Sequence, residues 1–202
     1  MVARVAVFID YQNVYMSARG AFFRGSSSHV DGQIHPLALG RLLADGPTPT
    51  RTCEAVRVYR GMPSNERDSK GYSAAQRQTA IWNGLPRVTA CTRALNYREP
   101  LHPKEKGIDV LLAVDFVLGA IRNEFDVGIV CSADTDLVPA LEAVVAMKGP
   151  QVCEVATWKP SDGSPVHLLG VKGHVIRKHA LSRQAFDLVA DTTDYTERRR
   201  RR

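Results

Sequence analysis

The sequence predicts an α/β protein with a central, mostly parallel sheet. Short runs rich in Val, Ile, Ala and Cys recur along the 202 residues. Several are apolar at every position, as strands covered by helices on both faces must be. Helical patterns separate these runs, which favours crossover connections over hairpins. The strand runs are 5–9, 54–59, 87–91, 127–130 and 152–156, with a weaker one at 174–177.

The elements between the strands follow in order. A first helix is expected after Asp10, and the stretch AFFRGSSSHVDGQ at 21–33 reads as the loop that follows it. Residues 72–82 alternate polar and apolar positions with good helix formers. Residues 108–122 place Ile108, Leu111, Leu112, Phe116 and Leu118 or Ala120 at helical spacing. The segment 137–147 is almost wholly apolar, and 181–188 forms a final short helix. Residues 157–173 carry prolines and glycines and read as a loop near the sheet edge.

Composition bounds the function. At 44% hydrophobic the chain can bury a substantial core, and its length fits one domain, placed at 1–190. The best apolar run, 110–121, is too short for a bilayer and is interrupted by Asp115, so no membrane role is expected. With no secretory pattern at Met1-Val2-Ala3-Arg4, the expected location is cytoplasmic. Cys53, Cys91, Cys131 and Cys153 form no Cys-x-x-Cys pair and read as free thiols. His174 and His179 are five apart, which does not put two ligands on one helical face. Of the formal charge of +6, Arg198 to Arg202 supply five units, so the body carries about +1. Residues 191–202 read as a basic, disordered tail that attracts polyanions through salt-sensitive contacts, or as a tail of no specific role.

The chemistry concentrates in three acidic stretches: Phe8-Ile9-Asp10-Tyr11-Gln12-Asn13, Lys104-Glu105-Lys106-Gly107-Ile108-Asp109 and Cys131-Ser132-Ala133-Asp134-Thr135-Asp136. The first and third follow buried strands, and the carboxyl ends of parallel strands form the crevice where ligands bind. Carboxylates gathered there repel one another unless a divalent cation lies between them. Each also has a plainer reading. Asp10 serves equally as the N-cap of the following helix. A cap at or near Asp136 suits Pro139 in the first helical turn and leaves Asp134 free in the loop. Asp109 gains from the helix dipole. Lys104 and Lys106 suit phosphate contact, and Gly107 permits close backbone approach. Asp115 interrupts an apolar run about 240° around the helix from Asp109, so it reads as a supporting residue or as hydrogen-bonded to a neighbouring loop.

VAVFIDYQNVY at 5–15, KGIDVLLAVDFV at 106–117 and DVGIVCSADTDLVPAL at 126–141, in this order, resemble the NYN domain, the LabA-like branch of the PIN-like nuclease superfamily. The resemblance covers most of residues 3–157. It implies a three-layer α/β/α fold, an acidic pocket for Mg²⁺ or Mn²⁺, and ribonuclease activity. Position by position, the family's acids fall on Asp10, Asp109 and Asp134, with Asp136 as a further acid. Asn13 and Ser132 match its polar pocket positions. Gln12 and Ala133 depart from the usual residues without removing a carboxylate.

Such a pocket implies phosphodiester hydrolysis, with metal held by Asp10, Asp109 and Asp134 and with Asp136 holding a second ion or orienting water. Lys104 and Lys106 would hold the flanking RNA backbone. Tyr11, Phe22 or Phe23 would stack on unpaired bases, although adjacent phenylalanines are more often core. A homo-oligomer is compatible with this reading. The competing reading is a catalytically inactive RNA- or metal-binding module. A haloacid-dehalogenase-type phosphatase is disfavoured, because the second acid it requires is Gln12 here. The lack of a Gly-x-x-x-x-Gly-Lys-Ser/Thr loop disfavours nucleotide-triphosphate hydrolysis.

Overall fold

A computed structural model describes residues 2–46, 50–97 and 106–197. Among them are six strands and six α-helices: β1 (Ala3–Asp10), α1 (Tyr11–Phe22), α2 (Pro36–Ala44), β2 (Arg51–Met62), α3 (Ser69–Asn83), β3 (Val88–Ala94), α4 (Ile108–Ile121), β4 (Val127–Cys131), α5 (Val138–Lys148), β5 (Cys153–Trp158), β6 (Arg177–Leu181) and α6 (Arg183–Val189). The strands form one sheet of order β3-β2-β1-β4-β5-β6, with every pair parallel.

The pleat of β1 sorts the core into two halves. Val5, Val7 and Ile9 face α1, α2, α3 and α6, whereas Ala6 and Phe8 face α4 and α5. The steps from β1 to β2 and β3 carry their helices on the first face, and the steps to β4 and β5 on the second. A single crossover handedness demands that arrangement. The result is the expected three-layer α/β/α fold. The strand order reverses between β1 and β4, which makes the gap beyond their carboxyl ends the topological switch point where such sheets bind ligands.

The structure adds to the sequence reading in several places. Helix α2 was not foreseen. His35 caps it, with Nδ1 accepting from the Ala38 N–H at 3.3 Å, and Pro36 opens it. Gly40 lies so close to β2 that a Cβ would stand 2.4 Å from Val56 Cγ2, so only glycine allows this helix–strand approach. The last strand begins at Arg177 and not at 174, because Val175 is 94% exposed while Ile176 turns into the core. Helix α1 takes in Ala21 and Phe22 from the expected loop. Phe22 and Phe23 are half-buried against Phe186, and Phe22 also meets Trp158, so they are packing residues. Beyond 190, Asp191 and Tyr195 are buried and bonded to each other, and Arg77 Nε donates to the Tyr195 carbonyl at 2.7 Å. Arg198 to Arg202 lie outside the described residues.

At the amino end of the strands, Glu154 of β5 is 2% exposed and bonded from two sides. Arg51 of β2 reaches it with both terminal nitrogens, Nη2 at 2.5 Å from Oε1 and Nη1 at 3.1 Å from Oε2, and His179 Nε2 lies 2.7 Å from the same Oε2. Burial alone would raise the pKa of this carboxyl, but the His179 and Arg51 hydrogen bonds outweigh it and hold the group at about 2.

Candidate acidic active site

The carboxyl ends of β1 and β4 lie side by side, with Ile9 opposite Cys131. Asp10 closes β1 and is 7% exposed. It caps α1, its Oδ1 accepting from the Asn13 N–H at 3.2 Å. Ser132, the first residue after β4, donates its hydroxyl to Asp10 Oδ2 at 2.9 Å and accepts from the Asp134 N–H at 3.1 Å. Asn13 Oδ1 in turn accepts from the Ala133 N–H at 3.0 Å. Asn13 and Ser132 therefore fasten the start of α1 to the loop after β4. They fix Asp10 and Asp134 relative to each other.

The third wall is the start of α4. Gly107 has φ 74°, a left-handed conformation that turns the chain into the helix, and it provides no side-chain cap. Asp109 occupies the first turn. Asp10, Lys106, Gly107, Ile108, Asp109 and Asp134 line a pocket of about 280 Å³. Burial raises the pKa of Asp10, and the charges of Asp134 and Asp109 raise it further. The bonds from Asn13 and Ser132 oppose this shift without cancelling it. The pocket thus holds a carboxylate whose ionised form is disfavoured by its own neighbours, the condition that a cation relieves.

Whether the residues fit a divalent ion depends on how close they come. Among the described residues no group of three His, Cys, Asp or Glu side chains is close enough to hold one ion directly. A pocket with three carboxylates in its lining still suits Mg²⁺, which keeps several waters and commonly takes only one or two carboxylates together with substrate phosphate. The donor set therefore fits a hydrated ion better than a closed cage.

Other expected site residues fall elsewhere. Asp134, and not Asp136, is the cap here: its Oδ1 accepts from the Asp136 N–H at 3.0 Å as a 3₁₀ turn, Thr135–Leu137, begins. The Asp136 side chain is exposed and outside the pocket lining. Asp115 accepts from Tyr59 Oη at 2.9 Å, so its partner is a strand and not a loop or the pocket. Tyr11 is 5% exposed, with its ring against Trp82 and under the Arg60 guanidinium, and so it is not an open stacking platform. Lys106 is exposed at the pocket rim, and Lys104 lies outside the described residues. Ile108, on the apolar face of α4 and 2% exposed, also lines the pocket.

One outcome follows directly from the Asp10 environment. Because its pKa is raised on folding, its protonated form adds stability at low pH, and this is lost as pH rises through the folded value. Asp10→Asn mimics the protonated form and keeps the cap. At neutral pH it should raise stability by about 0.5–2 kcal/mol, read as a higher melting temperature. A lower melting temperature would show that the carboxylate is not under electrostatic strain.

Comparison with known sequences settles the family, since the NYN domain matches residues 4–176. The chain belongs to the NYN domain family. NYN domains form part of the PIN-like nuclease superfamily, which points to nuclease-type chemistry. The matched NYN region contains the whole acidic pocket and ends just before β6 and α6. Among curated proteins no match was found. A crystal structure of a protein of unknown function from Vibrio parahaemolyticus is similar, with a TM-score of 0.51 and 17% identity over 77% of this chain and 82% of that one. At that identity the likeness concerns the fold alone. No described helix of this NYN domain is long and apolar enough to cross a membrane.

Proposed function

We propose that this NYN domain, of the LabA-like branch, is a metal-dependent ribonuclease that cleaves phosphodiester bonds in the acidic pocket. The observation that carries the reading is the meeting of Asp10, Asp109 and Asp134 in one pocket at the switch point of the sheet, with the pKa of Asp10 raised by burial and by the other two. Asp10, Asp109 and Asp134 would hold Mg²⁺ or Mn²⁺. A bound ion there supplies charge neutralisation at the scissile phosphate and a water of lowered pKa. The remaining work falls to the chain itself. Ser132 and Asn13 keep Asp10 and Asp134 in register, and their hydrogen bonds favour the ionised form of Asp10. Lys106 at the rim offers an ammonium to the incoming phosphate. The first turn of α4, which has no side-chain cap, directs its N–H groups toward the same space.

A second reading is an RNA- or metal-binding module without turnover; among the described residues no three carboxylates come close enough to hold one ion directly, which favours its RNA-binding form. One experiment separates the two: incubation of labelled single-stranded RNA with Mn²⁺ or Mg²⁺, with an EDTA control. Cutting that requires the metal is the expected result. Binding without cutting, at any metal concentration, would reject the nuclease and leave the module.

A further inference from the structure

We propose that a second pocket, across the carboxyl end of β1 from the acidic one, receives a nucleobase of the RNA strand whose phosphate enters the acidic pocket. This inference rests on the ribonuclease reading for its ligand. The pocket measures about 260 Å³, room for a single planar heterocycle and below the range usual for drug-sized ligands. Its lining includes Tyr11, Gln12, Gln33, Arg60, Gln78 and Tyr195, and no carboxylate. The lack of a carboxylate disfavours a cation, and the amides and aromatic rings suit a flat ligand rich in hydrogen-bonding edges.

A fixed polar floor supports that choice. Gln78, 5% exposed, donates from Nε2 to Tyr11 Oη at 2.9 Å and to Gln33 Oε1 at 3.3 Å, while its Oε1 accepts from Arg60. Gln33 Nε2 donates to the His29 carbonyl at 3.1 Å. This chain fixes which end of each amide faces where. Tyr11 Oη accepts within the chain and donates to no described residue, which leaves its proton for a ligand. The Gln12 side chain is exposed at the rim and has no hydrogen-bond partner among the described residues. Its amide carries both a donor and an acceptor, as reading a base edge requires. The Arg60 guanidinium, 5.1 Å from the Tyr11 ring centroid, adds a cationic plane of the kind on which bases stack.

Position joins the two pockets. Asp10 pairs with Tyr59 across the sheet, and the residues that follow each, Tyr11 and Arg60, line the second pocket. Asp10 lines the phosphate site and Tyr11, the next residue, lines the base site. Thr196 also lines this pocket, and the arginines begin at 198 in the sequence, a source of phosphate attraction for the same strand.

The test is RNA binding in EDTA, so that it needs no cleavage. Fluorescence anisotropy of a short labelled oligoribonucleotide is compared with versions carrying one abasic position. Wild type should lose about tenfold in affinity at one such position. Ala74→Phe, which fills the pocket from the α3 side, should lose a similar factor with the intact RNA and become insensitive to the abasic position. Gln12→Ala should bind while losing its preference among the bases. Native affinity and unchanged abasic sensitivity in a folded Ala74→Phe would overturn the proposal, as would wild type that binds no RNA. If Ala74→Phe does not fold, an unchanged base preference in Gln12→Ala overturns it. Base-dependent binding without cleavage under Mn²⁺ would leave this site standing and reject the nuclease.

Discussion

Replacing Asp134 with asparagine should lower metal-dependent RNA cleavage by more than about 100-fold, since even residues that only support a metal site are worth roughly 10–100-fold. The fold should survive. Asp134 caps the 3₁₀ turn through Oδ1, and an asparagine carbonyl accepts the same bond from the Asp136 N–H. Its backbone N–H keeps its bond to Ser132 Oγ. Removing the charge also eases Asp10, whose pKa is raised in part by Asp134, so that pKa should move back toward its ordinary value. The variant should therefore melt no lower than wild type while losing activity. Cleavage retained within about tenfold of wild type would remove Asp134 from the mechanism. A collapse of stability would show that the charge, and not the cap, organises the loop.

The largest effect on stability should come from Glu154→Gln, at the opposite end of the sheet. Arg51 has only 9% of its side chain exposed, and without the carboxylate its charge is left buried and unpaired. Breaking a buried pair from one side typically destabilises by about 3–5 kcal/mol. The expected reading is a large fall in the denaturant midpoint with an unchanged slope. The same group makes a pH prediction. Glu154 has an ordinary pKa of 4.5 and a folded value of about 2. Its contribution is thus complete above 4.5 and lost as pH falls through about 2. That contribution is on the order of 3 kcal/mol. Glu154→Gln should flatten this limb of the acid-unfolding curve. If wild type and variant show the same acid limb, the pair is not what fails in acid.

Much of the architecture was legible because of its parallel sheet. Strands buried on both faces cannot alternate, so β1 and β4 show as unbroken apolar runs at 5–9 and 127–131, and β5 is interrupted only by Glu154 and Thr157. At the edge this signal fades. β6 reads Arg177-Lys178-His179-Ala180-Leu181, charged as an unpaired edge needs to be, and the more apolar residues before it looked like the strand. Helix α2 is short and carries Gly40, which weakens helix propensity but is required by contact with Val56. For the site, motif spacing brought out Asp10, Asp109 and Asp134, because strand ends and helix starts are fixed by local sequence. Which acid caps the loop after β4 was not legible, since Asp134 and Asp136 differ only in which backbone N–H they reach. Nor could spacing reveal the amide chain of Gln33, Gln78 and Tyr11, whose members are drawn from three separate helices and loops and carry no local signature.

The central place of β1 has a consequence during synthesis. Its neighbours are β2 on one side and β4 on the other, and β4 begins only at Val127. A chain emerging from the ribosome amino end first must hold Val5, Val7, Phe8 and Ile9, all fully buried in the finished protein, beside an open strand edge until more than half of its length has been made. During that interval the edge is a template for pairing with other nascent chains. Fragments that stop before Val127 should accumulate as aggregates, and production of the intact domain should respond to chaperone supply and to the speed of translation.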